Sequence, residues 1–64
     1  MKLTITLEMD NAAFGNPGDE CARILHRLIM DMQEAGTYRR LDSNVRFALR
    51  DVNGNRVGKA VVED

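Results

Sequence analysis

The chain has 64 residues, nine Lys or Arg against ten Asp or Glu for a net charge of −1, one cysteine and one histidine. This length accommodates one domain, residues 1–64, and a chain this short buries only roughly 60% of its unfolded surface, so a second chain is a natural source of further burial. A lone thiol excludes an internal disulfide framework and fits a reducing cytoplasm. One Cys with one His cannot complete a structural zinc site.

The chain opens with Leu3, Ile5, Leu7 and Met9 alternating with Lys2, Thr4, Thr6 and Glu8. Period-two alternation with β-branched residues predicts a strand with one buried face. The same alternation lacks the apolar core of a signal peptide. Nowhere does an apolar run approach the roughly 20 residues that span a bilayer, so no membrane insertion is expected. Asp10-Asn11-Ala12-Ala13-Phe14-Gly15 breaks the pattern and reads as a connection anchored by Phe14.

Asn16-Pro17-Gly18-Asp19-Glu20 is a helix start: Asn16 as cap, Pro17 at the first helical position, and two acids complementing the helix dipole. Cys21, Ile24, Leu25, Leu28, Met32 and Ala35 then recur at three- and four-residue spacing, forming one apolar stripe. Glu20, Arg23, Arg27, Asp31 and Glu34 form a charged stripe beside it, with Arg27 and Asp31 spaced to pair. Gly36 is expected to end the helix, and residues 37–44 to form a polar loop.

Val45, Phe47 and Leu49 alternate with Arg46, Ala48 and Arg50 as a second strand, and residues 56–62 return as a third. Between them, Asp51-Val52-Asn53-Gly54-Asn55 is the strongest turn signal in the chain. Two registers remain open. A two-residue Asn53-Gly54 loop turns Gly58, Ala60 and Val62 inward; a bulged turn brings in Val57, Lys59 and Val61 instead. The expected fold is α+β, in the order β-α-β-β, with one helix on a three-stranded, mostly antiparallel sheet.

The residues of a nucleophilic active site are missing from the pattern. His26 is five positions from Cys21, off its face of the helix, and Cys21 falls on the apolar stripe. Asp51-x-Asn53-x-Asn55 superficially resembles a calcium loop, but Gly54 falls between ligand positions and Val62 stands where the bidentate glutamate belongs. Asp19 and Glu20 occupy the helix N-terminus that would otherwise attract phosphate. No enzyme activity, metal or cofactor is expected.

Two surfaces remain as candidates. His26, Ile29, Met30 and Gln33 lie to one side of the helix, away from the core stripe, with Met30 opposite Leu28. Exposed Ile and Met beside His and Gln suit the centre of a modest protein interface; alternatively, Ile29 tucks beneath residues 37–44. The second candidate is the open sheet face, with Lys2, Thr4, Arg46 and Arg50. Residues 1–35 carry three Lys or Arg against six Asp or Glu (net −3), and residues 36–64 carry six against four (net +2). The basic half admits nucleic acid as an alternative partner, though single-strand binders add aromatic platforms to such a face. A homodimer through the helix flank or a sheet edge is expected, and its interface would also admit sequestration of a small charged ligand.

Met1-Lys2-Leu3-Thr4-Ile5-Thr6-Leu7, Asn11-Ala12-Ala13-Phe14, Ala22-Arg23-Ile24-Leu25 and Leu49-Arg50-Asp51-Val52-Asn53-Gly54-Asn55-Arg56-Val57-Gly58 resemble small phage- and prophage-encoded proteins without an assigned activity. The resemblance spans most of the chain outside residues 37–44. It implies an accessory protein in a bacterial host cytoplasm that binds a host protein, as inhibitors of antiviral defence such as CRISPR do.

Overall fold

A computed structural model of the chain describes residues 1–38 and 45–64. Strand β1 (Lys2–Leu7) is followed by a 3-10 turn (Ala12–Phe14), helix α1 (Pro17–Tyr38), strand β2 (Arg46–Arg50) and strand β3 (Arg56–Glu63). The sheet order is β1-β3-β2, and β3 pairs antiparallel with both neighbours. The α+β expectation holds, and α1 is the crossover that carries the chain from one sheet edge to the other.

Helix α1 begins where its cap signals place it. The Asp19 amide donates to the Asn16 side-chain oxygen at 3.4 Å, and Arg27 Nε lies 3.3 Å from Asp31. Gly36 does not end the helix, which runs on to Tyr38. A glycine inside a helix costs only about 1 kcal/mol relative to alanine, which adjoining turns can carry. Of the loop expected at residues 37–44, the first two are therefore helical, and the rest lie outside the described residues.

Phe14, Ile24, Leu28, Leu49, Val57 and Ala60 form the core, with Leu7, Ala13, Cys21, Met32 and Phe47 packed against it. Ile24 is 2% exposed and is the largest fully buried side chain. Truncating it leaves a cavity among side chains from every layer, so Ile24→Ala should lower stability by about 2–5 kcal/mol. A small core rarely supplies more than roughly 3–5 kcal/mol in total, so the variant should be largely unfolded in mild urea; an unchanged denaturation midpoint would contradict this core.

The hairpin combines the two registers that the sequence left open. The Asp51 amide donates to the Asn55 carbonyl and the Gly54 amide to the Asp51 carbonyl, closing a three-residue loop with Gly54 at φ 85°. Left uncorrected, that loop would turn Lys59 and Val61 inward. A bulge intervenes: Arg50 lies opposite Arg56, but Leu49 lies opposite Gly58. Val57 is the extra residue and is buried. Beyond it, Phe47 meets Ala60, so Gly58, Ala60 and Val62 face the helix side.

Strand β1 departs from expectation. Leu3 and Ile5 point to the helix side, yet they are 45% and 43% exposed. The helix lies over β2: Arg23 reaches the Arg50 carbonyl at 3.1 Å, and α1 makes its sheet contacts chiefly with that strand. A helix is roughly 10–12 Å across and strands are about 4.8 Å apart, so one helix covers about two strands. The third is left open.

Candidate binding surface

Two carboxylates hold the hairpin to the rest of the domain. Glu20, placed by its spacing on the charged stripe of α1, is buried. Its carboxylate accepts from Arg23 Nε at 2.7 Å and from the Val52 amide at 2.8 Å, tying the first turn of α1 to the hairpin loop. Asp51, also buried, accepts from the Asn53 and Asn55 amides at 2.9 Å, from the Asn55 side chain at 3.2 Å and from Asn11 at 2.8 Å. One side chain thereby orders the turn and pins the connection after β1. The Arg23 hydrogen bond holds the Glu20 carboxyl below its ordinary value, assisted by the Val52 amide against the opposing effect of burial. Burial pushes Asp51 upward more than any other single influence, but its amide and asparagine donors together outweigh that and hold it low. Every polar partner here is structural.

A groove of about 400 Å³ runs between α1 and β2, with Arg23, Arg27, Asp31 and Arg50 along it. Its guanidinium groups are engaged: Arg23 by Glu20, Arg27 by Asp31, and Arg50 by the Gly54 carbonyl at 3.1 Å. Cys21 is half-buried, and its thiol lies 3.6 Å from the Met9 sulfur, while His26 is exposed. The structure does not bring the two together. Among the described residues, no three His, Cys, Asp or Glu side chains gather as metal ligands would, and no helix is long and apolar enough to cross a membrane.

On the open sheet face, the registers set Thr4, Val61 and Arg46 in one row, Thr6, Lys59 and Ala48 in the next, and Lys2 opposite Glu63. Lys2, Thr4 and Arg46 therefore share this face, while the Arg50 guanidinium turns away to the hairpin loop. Phe14 and Phe47 both pack on the core; neither offers a stacking platform here.

The remaining surface is apolar. Ile29 and Met30 are each 52% exposed, and Leu25 is 37% exposed. His26 and Gln33 are exposed alongside them, so the helix-flank residues singled out from sequence lie together at the surface. Ile29 is not tucked away. Arg23, Arg27 and Asp31 line the groove beside β2, so helical spacing puts Leu25 and Ile29 on the opposite flank of α1; Leu3, Ile5 and Met9 are exposed as well. The chain matches no family model, no curated protein and no solved structure. Leu3, Ile5 and Leu25 have the spacing of core positions, so their exposure leaves no mark in the sequence pattern. Only the width of the helix relative to the sheet could have signalled otherwise.

Proposed function

We propose that the protein is a non-catalytic binding module that engages another protein through the exposed side of α1, with Ile29 and Met30 at the contact and His26 and Gln33 around them. The observation that carries this reading is the half-exposure of Ile29 and Met30 on consecutive positions of a well-anchored helix. Large apolar side chains grouped this way mark association surfaces. The phage-type resemblance supplies the partner class, a bacterial host protein whose surface is occluded, as in inhibition of antiviral defence.

Ile29→Glu combined with Met30→Glu should leave the fold intact, since neither side chain is buried. A host protein retained by the wild-type chain on an affinity resin should be lost by the double variant, with an affinity drop of at least roughly 100-fold, or about 2.7 kcal/mol. Retention unchanged by the double variant would refute the surface.

A second reading, nucleic-acid binding on the open sheet face, draws support from the grouping of Lys2, Arg46 and Lys59 there. It predicts affinity that falls steeply with salt as phosphate counterions are released. A flat salt response in a DNA and RNA titration would dispose of it.

A further inference from the structure

Strand β1 is an edge. It pairs with β3, and among the described residues no strand lies along its other side. The phase of that edge follows from one hydrogen bond. The Val62 amide donates toward β2, to the Val45 carbonyl, so the adjacent Val61 turns its amide and carbonyl toward β1 and Thr4, its partner, faces back. By alternation, Leu3, Ile5 and Leu7 direct their amides and carbonyls outward. No proline, bulge or inward-pointing charge protects this edge in the way sheet proteins usually guard theirs.

The strand is also self-complementary. Lys2-Leu3-Thr4-Ile5-Thr6-Leu7-Glu8 reads alike from either end about Ile5, with opposite charges at its two ends. We infer that β1 pairs antiparallel with β1 of a second copy about a two-fold axis through Ile5. Leu3 then faces the partner subunit's Leu7, Thr4 faces the partner subunit's Thr6, and Lys2 faces the partner subunit's Glu8. Outward amides meet outward carbonyls, giving about six backbone hydrogen bonds between the copies. Opposite charges and matched hydroxyls directly across strands add to them.

An axis perpendicular to the sheet keeps both helices on one side, so the exposed Leu3 and Ile5 of the two copies merge into one apolar strip. The outer edge of β2 offers no such match about its centre: pairing β2 with itself about Ala48 sets Arg46 against the partner subunit's Arg50, like charge against like. The dimer stands apart from the host-protein reading, because it rests on the β1 backbone and sequence alone and its test at Ile5 leaves Ile29 and Met30 unaltered.

Sedimentation of the full chain should show a species of twice the 7.2 kDa chain mass. Ile5→Lys, at an exposed position in the monomer, should weaken association roughly 100-fold with the far-UV spectrum retained. The register is tested separately by mixing Thr4→Cys and Thr6→Cys proteins, each also carrying Cys21→Ser, under mild oxidant. Opposed residues at such a non-hydrogen-bonded pair have Cα atoms about 4.5 Å apart, within disulfide reach, so the mixture should cross-link and either protein alone should do so poorly. A monomer up to millimolar concentration overturns the dimer. A dimer indifferent to Ile5→Lys, or equal cross-linking of each protein with itself, overturns the β1 pairing. Should Ile5→Lys fail to fold, the cross-linking pattern decides.

Discussion

Gly58→Ala should cost about 3 kcal/mol or more, the upper end of what overpacking costs, and Gly58→Val should prevent folding. Gly58 lies in β3 between Leu7 and Leu49. A methyl group there would collide with the Thr6 carbonyl and meet the Leu7 Cα. The obstacle is backbone, which has no rotamer to yield, so β1 would have to separate from β3 over part of its ladder. Against a total stability of roughly 3–5 kcal/mol for a core this small, the loss is decisive. Urea denaturation followed by far-UV circular dichroism reads it. An alanine variant with the wild-type midpoint would mean that β1 does not approach β3 this closely.

Asp51→Asn should destabilise the protein at neutral pH and also blunt its sensitivity to acid. In place of a carboxylate taking four hydrogen bonds, the amide offers one acceptor oxygen and turns an NH2 group toward donors. The sign of the pH dependence follows from the carboxyl groups of Glu20 and Asp51, both held below their ordinary values in the fold. The unfolded chain therefore binds more protons than the folded one in the window beneath the ordinary carboxylate pKa of about 4. The stabilisation is complete above that pH and disappears as pH falls through the lower folded values. Wild-type melting temperature should hold between neutral pH and about pH 5 and drop below it, and the Asn variant should start lower and drop less. Equal acid slopes for the two proteins would show that Asp51 contributes nothing to the acid transition.

Both variants act on features that a sequence scan passes over. Gly58 reads as an ordinary glycine near a turn, because the Thr6 carbonyl that makes it obligatory lies far away in the chain. Asp51 reads as turn chemistry, which it is, but the bond from Asn11 joins positions forty residues apart. Glu20 suits a helix N-terminus so well that its role as acceptor for the Val52 amide leaves no separate trace. The helix-flank residues His26, Ile29, Met30 and Gln33 were legible because a helix displays its polar and apolar faces in a fixed angular order.

Local sequence determined the element types and most of their limits: alternation made the strands, Asn16-Pro17 began the helix, and Asp51 to Asn55 formed the turn. These depend on neighbours a few residues apart, whose geometry the backbone dictates. Tertiary structure decided the rest. The order β1-β3-β2, the bulge at Val57 that reconciles the loop with the inward register, and the exposure of Leu3 and Ile5 arise from distant segments competing for one helix that covers about two strands. An alternating pattern says which side of a strand is apolar; whether anything lies above that side depends on where the helix comes to rest.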